Sequence, residues 1–366
     1  MNKISIKIMF MSVVALMSFG MAGVGVILLM TLLSYVAIGR DSSASHGISS
    51  VESSRLGGLA ICVVFISYIV GLVLFSPYTP GVVREERNLY LWGAIFLCAV
   101  LGLAEDIKPD FLTPRLRLIS KLVVFGALLW VCPEFIPSEV GVWGLDFLLG
   151  IPLLGWILVT VVCVGFINAF NMADGANGLV PGVAVAALSV FFMEYGRVAE
   201  GVLLFACSIF LIFNVISGWF FLGDMGSYGL GAAVAGYALY GVAVGDFSIW
   251  FMAALLSYPC IDFLTSIGRR LWQGHSPFAA DNGHLHNRLH ERLKRVIKSR
   301  VLANSMTGLI ISGSSSGVTV VGYLNEWWPV TSDNWLIVFV AQYLVYGAVM
   351  LWLARSASVR ALAEAS

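Results

Sequence analysis

The sequence predicts an all-α polytopic integral membrane protein. The chain has 366 residues, 59% hydrophobic and 11% charged, where a soluble domain carries about 25% charged residues. Mean hydropathy is +0.90. The apolar residues come in runs close to the ~20 that a spanning helix needs, and not in the short alternating segments of a membrane barrel. The formal net charge is zero, which names no partner, and no nucleic-acid ligand is expected.

About eleven transmembrane helices are expected, at roughly 10–38, 57–75, 88–104, 118–132, 153–168, 179–193, 201–220, 229–245, 247–267, 301–323 and 335–354. The first apolar stretch, Ile8 to Ile38, exceeds the ~7–15 residues of a signal-peptide core. It is too short for two crossings: ~31 residues of helix reach ~46 Å, and two crossings need ~60 Å. One long or tilted helix follows, with Gly20, Gly23 and Gly25 as bend points. The third span ends on Glu105–Asp106, and the fourth follows the basic segment Arg115 to Lys121. The fifth and sixth flank the polar stretch NAFNMADGANGL, Asn168 to Leu179. The seventh and eighth flank FLGDMGSYGLG, Phe221 to Gly231. The ninth carries Pro259 and Asp262. Residues 268–300, the longest polar stretch, form a cytoplasmic loop with a histidine motif, and residues 1–366 form a single transmembrane domain.

Counting Lys and Arg on each side sets the orientation. Sixteen of 21 fall on one side, which is therefore cytoplasmic. The N-terminus is then outside and the C-terminus cytoplasmic, with Lys3 and Lys7 arguing against this locally. All five histidines share the cytoplasmic side with Glu105, Asp106, Asp174, Asp224 and Asp281. The six cysteines lie in or at the ends of apolar runs without a C-x-x-C pair and read as packing residues.

Polar groups gathered at one set of helix ends point to a cytoplasmic active site at the membrane surface. Glu105 and Asp106 are adjacent carboxylates, which repel unless a cation or proton lies between them. Mg²⁺ is the usual ion for oxygen-only ligands near phosphates. Asp224 lies among Gly223, Gly226 and Gly229 and is a second candidate ligand. Taken alone, each carboxylate equally suits a solvated helix end or a cap. Asn168, Asn171 and Asp174 recur every three residues and share a drifting helix face. Buried amides need partners, either a neighbouring helix or a sugar nucleotide. His284, His286 and His290 lie in a basic segment with Arg288. The H-E-x-x-H pattern of a zinc protease is absent, so phosphate binding or contact with anionic lipid is the natural reading.

In this order, the motifs RLGGLAI, GLAEDIK, NAFNMADGANGL, FLGDMGS, YPCID and SPFAADNGHLHNRL resemble the polyprenyl-phosphate N-acetylhexosamine-1-phosphate transferase family (glycosyltransferase family 4), over about residues 30–300. The resemblance implies that undecaprenyl phosphate attacks a UDP-amino sugar, by default UDP-GlcNAc, and that UMP leaves. It implies a bacterial inner-membrane enzyme that starts a lipid-linked surface glycan such as O-antigen. It implies Glu105, Asp106 and Asp224 as catalytic groups, with Asp224 and Asp106 holding Mg²⁺ or, in its place, Mn²⁺. Asn168, Asn171 and Asp174 would bind the sugar nucleotide, and His284, His286 and Arg288 its phosphates. Arg55 and His46 would belong to the first cytoplasmic loop. Glu105 stands where the family has Asp, Asn177 stands where a second Asp is usual, and the histidine motif reads H-L-H-N-R. The last two departures favour the surface-glycan branch over the peptidoglycan branch. A homodimer is left open. The rival readings are a lipid or solute transporter, which would carry charges at mid-bilayer, and an intramembrane aspartyl protease, which would need glycine at Phe221.

Overall fold

The computed structural model describes residues 3–36, 40–41, 53–75, 86–276 and 283–365. They form a helical bundle whose only paired strands, among the described residues, are β1 (Arg40–Asp41) and β2 (Ser53–Ser54). The helices are α1 (Lys3–Ser34), α2 (Gly57–Phe75), α3 (Glu86–Ile107), α4 (Pro114–Val131) and α5 (Trp143–Leu149). There follow α6 (Pro152–Ala173), α7 (Leu179–Tyr195), α8 (Val198–Ser217), α9 (Gly223–Ala243) and α10 (Ile249–Leu255). The last five are α11 (Ser257–Trp272), α12 (Leu285–Val296), α13 (Arg300–Ser312), α14 (Val318–Leu324) and α15 (Trp335–Ala365).

Each of the eleven expected spans falls on a helix or a consecutive pair. Among the described residues, six helices are long and apolar enough to cross a membrane, or seven if α10 and α11, bent by 83° at their junction, count as one. Proline lacks an amide N–H and cannot continue a helix ladder, and Pro259 accordingly lies in the first turn of α11, just past the break.

Helix α9 is the centre of the bundle. Its glycines and alanines leave little between it and its neighbours, so van der Waals contact of backbones replaces side-chain interdigitation, as in other small-residue interfaces in lipid. A Cβ on Gly58 of α2 would come 2.1 Å from the amide nitrogen of Gly226, and one on Gly102 of α3 would come 2.2 Å from the carbonyl oxygen of Asp224.

The α8–α9 link is a short extended segment. Ser54 N–H donates to Trp219 O (3.1 Å), and Phe221 N–H donates to Ser54 O (2.8 Å). The first amides of α2 donate to Phe221 O (2.9 Å, from Gly57) and Leu222 O (2.8 Å, from Gly58). Those amides have no intrahelical acceptor, so this pairing both satisfies them and carries Arg55 to the start of α9.

Helix α1 departs from the expectation of one long crossing. Gly20 has φ 66° and ψ −158°, outside helical geometry. A Cβ on Gly23 would lie 2.8 Å from the carbonyl oxygen of Ala15, although residues eight apart in a straight helix are separated by ~12 Å. The chain therefore folds back at Gly20 into two arms, 3–19 and 21–34. The first arm runs antiparallel to α8, with Phe19 edge-on to Phe205 (5.5 Å). Lys7 Nζ donates to Ser217 O (3.0 Å) and lies 5.2 Å from the Trp219 ring centre. The N-terminal end of α1 thus shares an end of the molecule with the C-terminal end of α8. The charge count had put these two on opposite sides.

Candidate active site

Helix α9 begins at Gly223, and Asp106, at the end of α3, caps that start. Its Oδ1 accepts from Asp224 N–H (2.9 Å) and its Oδ2 from Met225 N–H (2.8 Å). A carboxylate is favoured at a helix N-terminus by the unpaired amides and by the dipole. Gly223 has φ 73°, and a Cβ there would come 2.2 Å from Arg55 O and 2.6 Å from Asp106 Oδ2. Only glycine lets these three segments meet.

The capped helix aims Asp224 at α6. Asn171 Nδ2 donates to Asp224 Oδ1 (2.7 Å) and to Ser227 Oγ (2.8 Å). Asp174 follows α6 as its C-cap residue. Burial pushes the Asp174 carboxyl up to about 8, the Asp224 and Asp106 charges add to the rise, and Arg55 opposes it. Three carboxylates and the Arg55 guanidinium therefore share one electrostatic neighbourhood.

Two predicted residues stand beside this centre. Glu105 Oε1 accepts from Leu112 N–H (2.6 Å), and Arg117 lies 3.6 Å from Oε2. Glu105 thus fastens the turn between α3 and α4. Asn168 Oδ1 accepts from Lys121 Nζ (2.5 Å), which also lies 3.8 Å from the Tyr228 ring centre. Lys121 is 1% exposed. Sequence reasoning offered it lipid or substrate phosphates beside a plain positive-inside role, and the signal for its burial was a lysine within an apolar span.

The histidine motif joins from α12. His284 Nδ1 lies 2.6 Å from Asp262 Oδ2, and His286 Nδ1 lies 2.9 Å from the Tyr258 hydroxyl. Asp262 Oδ1 also accepts from Leu285 N–H (3.1 Å) and from the Tyr346 hydroxyl of α15 (2.9 Å). The rings of His284 and His286 stack with centres 5.3 Å apart and planes 10° apart. The far edge of His286 abuts the α6–α7 turn, where a Cβ on Gly175 would come 2.2 Å from its Nε2. Burial pushes the His286 imidazole down to about 4, so it is neutral at physiological pH. Arg288 is half-buried on the same helix.

The structure therefore brings Asp106, Asn171, Asp174, Asp224 and His286 to one end of the bundle, with Arg55 in electrostatic reach and Glu105, Asn168 and His284 in the adjoining layer. Asn177 has a different role. Its N–H donates to Asn304 Oδ1 (2.9 Å), its Oδ1 accepts from Asn214 Nδ2 (3.4 Å), and Asn214 Oδ1 accepts from Gly178 N–H (2.7 Å). This amide network ties the α6–α7 turn to α8 and α13. His46 and Asp281 lie outside the described residues. Tyr258, Asp262 and Tyr346 were not among the predicted site residues; the signal for Asp262 was a carboxylate within an otherwise apolar span.

Among the described residues no three His, Cys, Asp or Glu side chains form a closed metal cage. Mg²⁺ does not require one, because it is usually held by one or two carboxylates, substrate phosphates and waters. Asp224 Oδ2 carries no hydrogen bond among the described residues, and each Asp106 oxygen carries one amide and keeps further acceptor capacity. This oxygen-only pair fits a hard divalent cation.

Residues 88–242 match the family model described as glycosyl transferase family 4. The chain is 28% identical over 264 residues to a probable undecaprenyl-phosphate N-acetylglucosaminyl 1-phosphate transferase of Bacillus subtilis (strain 168), covering 68% of this chain and 69% of the relative. It is 30% identical over 221 residues to a phospho-N-acetylmuramoyl-pentapeptide-transferase of Oceanobacillus iheyensis, covering 56% and 65%. It is 31% identical over 222 residues to the enzyme of that name from Latilactobacillus sakei subsp. sakei (strain 23K), covering 55% and 65%. The matched segments thus span about two thirds of these relatives' length.

Proposed function

We propose that the chain, whose residues 88–242 match the glycosyl transferase family 4 model, is a member of that family and transfers an N-acetylhexosamine-1-phosphate from a UDP-sugar, by default UDP-GlcNAc, to undecaprenyl phosphate. The observation that carries this reading is the meeting of Asn171 with Asp224 at 2.7 Å, at the helix start capped by Asp106. A phosphate oxygen of the lipid attacks the β-phosphorus of the UDP-sugar. The new P–O bond forms as the bond to the bridging oxygen breaks, and UMP carries away the electron pair. Such transfers need positioning and charge neutralisation more than covalent help from the protein.

Asp224 and Asp106 would hold Mg²⁺, or Mn²⁺ in its place, which when bound offsets charge on the phosphate oxygens. Asn171 orients Asp224. Asn168, held by Lys121, and Asp174 line the sugar-nucleotide side. Arg55, His284, His286 and Arg288 bind phosphate oxygens. Glu105 acts on the reaction by fixing the α3–α4 turn and Arg117. Asp262, a carboxylate within an otherwise apolar span, is engaged by His284 and Tyr346 and supports the site.

We place the site on the cytoplasmic face of a bacterial inner membrane. Ten crossings, made by α2, α3, α4, α6, α7, α8, α9, α10–α11, α13–α14 and α15, would then accompany an α1 hairpin that enters and leaves on that face. Both termini would be cytoplasmic, and Lys3 and Lys7 would join the majority of basic residues. The product would start a surface glycan.

The test supplies membranes containing the protein with undecaprenyl phosphate and a panel of UDP-sugars, and follows UMP and lipid-linked product. UMP release that needs both substrates and stops in chelator is expected. No UMP from any UDP-amino sugar overturns the reading.

A further inference from the structure

We infer that Tyr258 and Asp262, one turn apart on α11, are positioning residues: they fix the protons and planes of His286 and His284, so that His286 presents an Nε2–H donor to a substrate phosphate beside a His284 ring held through its Nδ1–H. The inference rests on the transferase reading for the identity of the phosphate, but not for the proton positions.

The spacing comes first. Residues four apart lie on one helix face, so Tyr258 and Asp262 take hold of both imidazoles from the same side. Each grips Nδ1, at 2.9 Å and 2.6 Å respectively. Nδ1 and Nε2 lie on opposite edges of an imidazole, so both Nε2 edges face away from α11. The rings are nearly parallel, 10° between planes, which keeps those edges side by side. The Nε2 of His286 abuts Gly175, next to Asp174 in the turn that follows Asn171. The His286 donor therefore faces the carboxylate centre.

Chemistry then assigns the protons. The Asp262 carboxylate accepts from Leu285 N–H and the Tyr346 hydroxyl on one oxygen and faces His284 Nδ1 with the other. A carboxylate only accepts, so His284 Nδ1 carries hydrogen. His286 is held differently. Among the described residues the Tyr258 hydroxyl has no other acceptor, so it donates to His286 Nδ1, and the single proton of that ring sits on Nε2. The low pKa of His286, about 4, fits a neutral ring. The two rings are thus gripped at Nδ1 in opposite senses, His284 as donor to Asp262 and His286 as acceptor from Tyr258. Tyr346 extends the support to α15: its hydroxyl lies 3.0 Å from Thr265 Oγ1 as well as 2.9 Å from Asp262.

Tyr258→Phe removes one hydroxyl and leaves the ring in place. In the full-length protein, kcat/KM for the UDP-sugar should fall about tenfold or more, the scale of one lost buried hydrogen bond. Added to His286→Ala, it should cause no further loss, because its effect passes through that ring. Asp262→Asn should behave in the same way on His284→Ala. Should Asp262→Asn fail to fold, the Tyr258 cycle decides alone. ¹⁵N spectra of histidine-labelled protein give a readout that needs no turnover: His286 should show a protonated Nε2 and a bare Nδ1, and Tyr258→Phe should mix the two forms. Fully additive losses, parental activity in Tyr258→Phe, or a His286 protonated at Nδ1 in the parent would each overturn the inference. A parent protein without transferase activity would overturn the function instead, leaving the nitrogen spectrum to judge the proton positions.

Discussion

At the scale of single residues, the adjacent carboxylates Glu105 and Asp106 turn out to have different duties. Asp106 grips two backbone amides at the start of α9, whereas Glu105 reaches back to Leu112 and Arg117. Asp224 is the group left with an oxygen to offer a cation. Asp224→Asn should therefore lower the transfer rate at least ~100-fold, the scale of removing a preorganised electrostatic group. Glu105→Gln keeps a carbonyl oxygen for Leu112 N–H and loses only the attraction to Arg117, so a loss of about tenfold or less is expected, in line with a weakened charge-assisted hydrogen bond. Rates per folded enzyme at saturating substrates check both, and equal losses would return Glu105 to the reacting centre. The sequence made the acidic residues visible as charges at the ends of apolar runs. It could not separate their duties, because the partners of Asp106 lie 118 and 119 positions away and no local spacing encodes such a pairing. Asn177 illustrates the same limit: the sequence shows only that it replaces a usual second Asp, and the contacts with Asn304 and Asn214 that define its role lie 127 and 37 positions away.

At the scale of elements, hydropathy located the helices because each must satisfy its own backbone inside the bilayer. It did not locate the break between α10 and α11, for which the only local sign is Pro259. Nor did it reveal how closely α3 and α9 approach, which depends on glycines meeting across two helices. Gly102 is the sharpest case, with a Cβ there 2.2 Å from Asp224 O and 2.5 Å from Met225 N. Gly102→Ala must push the start of α9 away from Asp106. A displacement of ~1 Å at a reacting centre costs ~100-fold, so this variant should lose activity on that scale with its helix content intact by circular dichroism. An active Gly102→Ala would mean that the helices sit further apart. The amide network fails differently. Asn214→Leu strands the Gly178 amide and the Phe220 carbonyl, both now paired to Asn214. It should destabilise the detergent-solubilised protein by on the order of 2 kcal/mol, seen as a lower melting temperature with kcat of the folded fraction retained.

At the scale of the whole molecule, the N-terminal hairpin decides how the chain enters the membrane. Length alone argued for one crossing, and the argument was sound for a straight helix. It did not anticipate the fold-back at Gly20. The arms, 17 and 14 residues long by their limits 3–19 and 21–34, reach ~25 Å and ~21 Å, each short of the ~30 Å hydrocarbon core. Lys7 bonds to Ser217 at one end of the hairpin, and Arg40 pairs with Ser54 beyond the other, so the chain on both sides of α1 lies at the end that carries Asp224. An even number of crossings then follows α1, and the C-terminal half of α15 returns to the same end, where Arg292 of α12 stacks on Trp352 (5.7 Å). Single cysteines in a cysteine-free background test this arrangement with a thiol reagent that does not pass the inner membrane. Ser138, Ser299 and Ser5 are all exposed, so each can report on its side. Ser138→Cys, between α4 and α5, should label in intact cells. Ser299→Cys, between α12 and α13, should label only after the membrane is opened. Ser5→Cys is the discriminating position: a single crossing puts it with Ser138, and the hairpin puts it with Ser299. Labelling of Ser5→Cys in intact cells would restore an external N-terminus and break the contact between Lys7 and Ser217. Labelling only in opened membranes would leave the basic N-terminus on the face where the phosphates are handled.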